Sequence, residues 1–493
     1  MFLQLATEAF AVTKVADVVL DARGMTLTEG AMFGRAINGQ AFQGDGITSF
    51  NGYQYATHFV TDRPAAEPEP RFYLAVARRK VDGGAWEVVN LPDSPFKNGT
   101  GRKPKPWDCH NTPSIGVCAG DGSIHLAYDH HDNLLRYRAT APGVATDPTN
   151  ASWDASLFKA ETAELLAGEP VTTVTYPAFV RTPTGGLQLA MRRGFSGNGS
   201  WWLYDYSAER HAWVGGRQYD DGTVGQYAAV DPPSPTRCAY PNDWTYGPDG
   251  RLHVTFAWRE GKANGSNHDL NYAYSDDGGA SWKSNAGQLI ADTRVDESSA
   301  VPKRITIDSP GLVVQPLPIT SSLMNTQGQA VDGAGRIHAL MWHRDSAKPQ
   351  AADAVWDAVG SSYFHYWRDQ SGTWKRGAIP SESGAPIGCR PRLVFDKDDN
   401  AVAVYTLRSG HSAGTTDIYF NEGDLVIATA SAKSKWTDWK VVHVETGPFV
   451  NEPPVDRPGL SERGVLTVMM QRSPAADLEA TPIRTMDYKV GAQ

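Results

Sequence analysis

Apolar and polar residues alternate with a period of two through many short runs, and no long amphipathic helical pattern interrupts them. The clearest run lies between Asp108 and Arg138. There Ile124, Leu126 and Tyr128 fall on one face of a predicted strand, and His125 and Ala127 on the other. Asp121-Gly122, between this strand and the β-rich run before it, predicts a tight hairpin. The open end of that hairpin gathers His110, ahead of its first strand, with His130 and His131, at the end of its second.

The same turn recurs along the chain, at Gly52, Gly122, Gly186, Gly250, Gly335, Asn400 and Gly464. Successive steps are 70, 64, 64, 85, 65 and 64 residues. Near-constant spacing predicts an all-β chain: a seven-bladed β-propeller of four-stranded antiparallel blades, forming one domain over residues 1–493. Only one clear strand, Ile483 to Val490, follows the last turn, whereas a β-rich run, Ala9 to Leu20, precedes the first. An N-terminal strand is therefore expected to complete the last blade and close the ring. Ser275-Asp-Asp-Gly-Gly-Ala-Ser-Trp282 is a complete Asp-box turn; Asp369 to Trp374 and Asp82 to Trp86 are partial copies. Their expected role is structural: the Asp satisfies turn N–H groups and the Trp packs between strands.

Composition changes this picture little. Fifteen Trp and 48 Gly suit an all-β chain, and a net charge of −9 argues against nucleic acid as a partner. No run of 18 apolar residues is present, so no membrane span is expected. Four cysteines, Cys109, Cys118, Cys238 and Cys389, are too few and too scattered for a disulfide scaffold. Met1-Phe-Leu-Gln-Leu-Ala lacks the basic start of an intact signal peptide.

Chemistry enters through the ends of the hairpins. One face of the ring is expected to collect His110, Asn111, His130 and His131, then Tyr176 with Arg192 and Arg193, then Tyr240 with Arg259. Asn325, His343, Arg344, Cys389, Arg390 and Arg408 follow on later repeats. Such a gathering of Arg, His and Tyr in an acidic chain implies an anionic ligand, and Arg suits paired donation to a carboxylate or sulfate. Paired carboxylates for hydrolysis are not evident: Asp129, Asp243 and Glu260 each neighbour a stronger basic or aromatic candidate. Arg192 and Arg193 are adjacent on a strand, so one points inward and the other outward.

Cys109-His-Asn-Thr-Pro-Ser-Ile-Gly, Ile124-His-Leu-Ala-Tyr-Asp-His-His, Tyr176-Pro-Ala-Phe, Leu189-Ala-Met-Arg-Arg-Gly, Tyr240-Pro-Asn-Asp and Trp258-Arg-Glu together resemble the propeller-type polysaccharide lyases of the neuraminidase-repeat superfamily. The likeness is to ulvan lyases above all, with rhamnose–glucuronate lyases as relatives. His110 and His130 stand 20 residues apart and Tyr176 and Arg192 16 apart, both as in that family. The resemblance implies β-elimination on a uronate-containing anionic polysaccharide by a secreted, periplasmic or cell-surface enzyme, expected to be a monomer. It implies His110 and Tyr176 as the acid–base pair, in either order, Arg192 as carboxylate neutraliser and His130 as supporting His. Tyr240 and Arg259 are implied as subsite residues, and Arg193, His131 and Asn111 join them as candidate substrate contacts. A shift of register by one would exchange His130 for His131, or Arg192 for Arg193.

No cofactor is needed for that chemistry. A structural zinc on His268, His343, Cys389 and His411 is a weaker expectation, without C-x-x-C or H-x₃-H spacing to support it; calcium is a further family expectation. Competing functions are a sialidase-like hydrolase, which the Asp-box invites but for which no Arg-Ile-Pro motif opens the chain, and a non-catalytic glycan-binding propeller.

Overall fold

The computed structural model describes residues 10–28, 31, 34–40, 44–62, 70–97, 107–150, 152–261, 266–345, 361–380, 390–408, 423–450 and 452–492. Within them the chain is all-β apart from three short 3₁₀ turns and one helix, Arg457–Arg463. Six of the seven expected hairpins form, each joining antiparallel strands: Phe50 faces Tyr53, Val117 faces Ile124, Arg181 faces Leu187, Tyr246 faces Leu252, Val331 faces Ile337 and Phe395 faces Ala401. At the seventh position Gly464 does something else. Its positive φ of 68° lets its N–H reach back to Gly459 and Leu460, so it closes the helix rather than turning a hairpin.

The count of seven four-stranded blades is corrected to five sheets of four or more strands, for two reasons. The repeat around Gly122 makes only a three-stranded sheet, Ser114–Val117, Ile124–Ala127 and Tyr137–Ala139. The first and last repeats share one seven-stranded sheet, because Phe10–Gly24 runs antiparallel to Thr481–Ala492 and also meets Tyr53–Asp62 through Gly24 opposite Val60. This is the closure expected of the N-terminal strand. A buried network reinforces it: both oxygens of Asp487 accept from Arg79 at 2.8 and 2.9 Å, and Asp456 accepts from the Ser49 backbone at 2.7 Å.

Burial follows the alternation. Ile115, Leu126, Leu203, Trp244 and Trp282 belong to one continuous core shared by several sheets. The complete Asp-box folds as expected, with Asp277 accepting the Ser281 N–H at 2.8 Å and Trp282 buried. Sheets approach so closely that Gly116 lies against Phe179, where a Cβ would sit 2.4 Å from the Phe179 Cβ. His125, His253 and His338 are buried and hydrogen-bonded to Tyr137, Tyr272 and His365, which fits a structural role for the shared position after the turn.

Two irregularities aim side chains at the site. The ladder of Val174–Arg181 slips between Thr175 and Ala178, and that of Arg237–Tyr246 slips between Pro241 and Asp243. Both slips start beside a Tyr-Pro pair, since proline has no N–H to give the ladder. Tyr176 takes a φ of 59°, an uncommon conformation for a bulky residue that costs on the order of 1–3 kcal/mol and concentrates at functional sites.

Candidate active site

Asp108 anchors the site. It caps the short turn Cys109–Asn111, accepting the His110 backbone N–H at 3.0 Å. Its Oδ1 also meets His110 Nδ1 at 2.6 Å, and its Oδ2 meets His131 Nδ1 at 2.5 Å. The two imidazoles stack at 4.0 Å between centroids, with 23° between planes. Burial raises the Asp108 carboxyl, but the imidazoles and their hydrogen bonds overcome it and hold the group below the ordinary carboxylate range. An ionised carboxylate only accepts, so each imidazole meets it through a protonated Nδ1.

Tyr176 lies across from His110, ring centroids 5.8 Å apart, and stacks on Trp201 at 6.2 Å with an 11° tilt. Arg192 sits over the Tyr176 ring, 4.9 Å from its centroid, and is almost fully buried. It donates to Asp132 at 2.7 Å, Thr175 at 3.0 Å and the Tyr240 hydroxyl at 3.1 Å. Arg259 donates to the same Tyr240 oxygen at 3.1 Å, and Ser196 lies 3.2 Å from it. One phenol thus spaces two guanidiniums. Below, Tyr176 borders a cavity where the first strands of several repeats converge, lined also by Ala178, Trp201, Asn242, Arg392 and Arg457.

Electrostatics separate the two central groups. Burial, aided by His131 and opposed by Asp108, pushes His110 down to about 4. Burial, aided by Tyr240 and opposed by Arg192 and Arg259, pushes the Tyr176 phenol well above its ordinary value. At neutral pH the imidazole is therefore an unprotonated acceptor and the phenol a protonated donor.

The structure brings His110, Tyr176, Arg192, Tyr240 and Arg259 together, and it puts His131, not His130, beside His110. His130 is fully buried, with Nε2 accepting the Arg136 backbone N–H at 2.8 Å; burial and then Arg136 push it down to about 3. Arg193 turns to the opposite side of its strand, donating to Tyr204 at 3.1 Å and lying 4.7 Å over Trp202. Asn111 is buried beneath the turn and donates to the Asp108 carbonyl at 3.0 Å.

The two described members of the expected zinc set stand apart in their bonding. His268 engages Asp269 and Glu260, whereas His343 engages the Arg344 carbonyl and the Tyr366 hydroxyl. Cys389 and His411 lie outside the described residues. Donor atoms of Asp108, His110 and His131 fall within 4.8 Å of one another, close enough for a cation, but both imidazole Nδ1 atoms are already given to the carboxylate.

Sequence reasoning missed Asp108 as a site residue, along with Asp132, Thr175, Ser196 and Trp201. Asp108 alone left a local signal, an N-cap acid two residues before His110. Asp132, Thr175 and Trp201 stand on the same sheet as Tyr176 and Arg192, and Ser196 on a loop between two of its strands.

These features define an all-β propeller with a basic, aromatic pocket at the hairpin ends. Residues 53–381 match the model of the BNR repeat-containing family, and the chain belongs to that family. It is similar to the long isoform of an ulvan lyase from Alteromonas sp. (strain LOR), 23% identical over 290 residues, covering 50% of this chain and 26% of that protein. It is also similar to the short isoform from the same strain, 22% identical over 343 residues, covering 56% of this chain and 60% of the relative. The match thus spans about a quarter of the long relatives and three fifths of the short one. Among solved structures, the polysaccharide lyase Uly1 superposes with a TM-score of 0.67 at 16% identity, over 97% of this chain and 99% of the other. An ulvan lyase bound to -[GlcA(1-4)Rha3S]- superposes with a TM-score of 0.58 at 12% identity, over 95% of each chain. At these identities the two superpositions establish shared fold. Among the described residues, no helix is long and apolar enough to cross a membrane.

Proposed function

We propose that this chain is a lyase that cleaves a uronate-containing anionic polysaccharide, ulvan foremost, by β-elimination. One observation carries the reading: an acceptor imidazole, a protonated phenol and a buried guanidinium share one pocket, with His110 and Arg192 both in ring contact with Tyr176. In this reading Arg192, with Arg259 beside it, neutralises the substrate carboxylate and stabilises the enolate-like charge that develops at C5. His110 Nε2 takes the C5 proton. The electron pair of that C–H bond forms the C4=C5 double bond as C4–O4 breaks, and Tyr176 gives its hydroxyl proton to the departing oxygen. Solvent then returns the proton from His110 to Tyr176. Only proton transfer and charge neutralisation are called on.

Hydrolysis is less well supported. The five carboxylates at or near the site are committed to internal pairs: Asp108 with His110 and His131, Asp132 with Arg192, Asp129 with Arg136, Asp243 with Arg457, and Glu260 with Arg237 and His268. Among the described residues that leaves no carboxylate couple to flank a glycosidic bond. A polymeric substrate of this kind also fits a secreted, periplasmic or cell-surface location. The deciding experiment incubates the protein with ulvan and follows the ultraviolet absorbance of an unsaturated uronate. Rising absorbance supports the lyase. New reducing ends without absorbance would mean a hydrolase, and retention on the polymer without turnover a binding propeller. A panel of rhamnose–glucuronate polymers with and without sulfate resolves the substrate.

A further inference from the structure

We propose that Asp108 and His131 are positioning residues for the base: Asp108 holds His110 as its Nδ1–H tautomer, and His131 tunes the basicity of His110 by sharing the same carboxylate. The inference rests on the lyase reading for its catalytic consequence, but not for its structural content.

The arrangement is specific. Asp108 is fully buried, each carboxylate oxygen receives a different imidazole Nδ1, and Oδ1 receives the His110 backbone N–H as well. A buried carboxylate serving one imidazole orients it and supports the imidazolium that forms on proton capture. Here the second imidazole draws on that same charge. It stacks on the first at 4.0 Å, so any positive charge on it acts directly against protonation of His110. His131 is also the more open of the two, its side chain 17% exposed against 9% for His110.

The charged and titratable groups facing His131 come from three directions. Asp108 and His110 approach from the short turn. Asp132, whose carboxylate lies 3.8 Å from His131 Nε2, follows it in sequence. Arg192, held at 2.7 Å by the same Asp132, approaches from another strand of the same sheet. Asp132 therefore stands between His131 and the Arg192 guanidinium.

The test uses two variants of the full chain, Asp108→Asn and His131→Gln, with two readouts. Imidazole ¹⁵N spectra need no substrate. In the wild type, His110 and His131 should both be Nδ1–H tautomers, and in His131→Gln the titration midpoint of His110 should move to higher pH. A wild-type His110 in the Nε2–H form, or an unmoved midpoint, overturns the proposal, whatever the substrate proves to be. On a polymer the wild type cleaves, Asp108→Asn should lower kcat by about 10³-fold or more with KM little changed, by analogy with the aspartate of serine-protease triads. His131→Gln should move the acid limb of kcat/KM upward. Equal kcat in Asp108→Asn, or an unmoved limb in His131→Gln, would also defeat it. A wild type that forms no unsaturated product overturns the lyase reading alone, since the spectra still decide the tautomer and the coupling.

Discussion

His110 and His131 stack 4.0 Å apart while their Nδ1 atoms bind opposite oxygens of Asp108. Twenty-one positions separate them in the chain, and one buried carboxylate makes them a single unit. That contact sets the proton arrangement, because an ionised Asp108 only accepts and so draws the proton of His110 to Nδ1.

Removing either half of the acid–base pair should stop turnover without unfolding the protein. His110→Ala and Tyr176→Phe are each expected to lower kcat by roughly 10²–10⁴-fold, the usual contribution of a positioned acid or base. Steady-state rates on ulvan, checked against circular dichroism, measure this. Near-wild-type rates in both would remove the site assignment.

The pH dependence of kcat/KM should be broad and displaced towards acid. A base works when unprotonated, so activity rises as pH climbs through about 4, where His110 titrates, and is full by neutrality. An acid works when protonated, and Tyr176 keeps its proton past the ordinary tyrosine range, so the alkaline limb should fall above about 10. A rate maximum confined near pH 6.5 would instead point to an unperturbed histidine.

Arg192→Lys should cost about 100-fold or more in kcat, because a point charge replaces a planar set of donors already shared among Asp132, Thr175 and Tyr240. The same change at Arg193, on the far side of the strand, should leave the rate within about twofold. Equal losses at both positions would mean that the strand register at the site is misassigned.

Acid should weaken the fold through its buried histidines. Burial is the first cause of depression in each: His125 and His130 fall to about 3, and His110, His253 and His343 to about 4. Between the ordinary value near 6.5 and these values the unfolded chain takes up protons that the folded chain refuses. Their share of stability is thus complete above about 6.5 and is lost as pH falls towards 3–4. His268 works the other way, because Asp269 and Glu260 outweigh its burial and raise it. Tm measured from pH 8 to 4 should decline below about 6.5; a flat profile would contradict the burial of these rings.

Gly116→Ala tests the close approach of the sheets. The added methyl would meet Phe179 Cβ at 2.4 Å and Cγ at 2.5 Å. Overpacking of this kind costs about 1–3 kcal/mol, read as a lower denaturation midpoint. Unchanged stability would show that the two sheets part more easily than their contact implies.

The chain itself determined the strands, six of the seven turns, the Asp-box and the closing role of the N-terminal segment. The first three depend on residues close in sequence, where an alternating pattern or an Asp-Gly pair acts directly on the local backbone, and the last follows from the strand count at the two ends of the chain. Legible too was the meeting of His110, Tyr176, Arg192, Tyr240 and Arg259 at one end of the hairpins, because strand direction alone sends them there. The helix closed by Gly464 was not, since a glycine after a polar run suits a hairpin and a helix cap equally well. Nor was the joining of the first repeat to that closing sheet, made where Gly24 meets Val60.

Tertiary structure decided the chemistry within the pocket. A strand pattern cannot say that His131 rather than His130 turns towards Asp108, because the loop after Ala127 departs from simple alternation, with Asp129 and Asp132 both at positive φ. Nor can it say that Tyr176 leaves the ladder or that Tyr240 holds two arginines apart. Those outcomes depend on desolvation and on contacts between sheets that exist only once the ring has closed, and burial is also what divides the proton affinities of His110 and Tyr176.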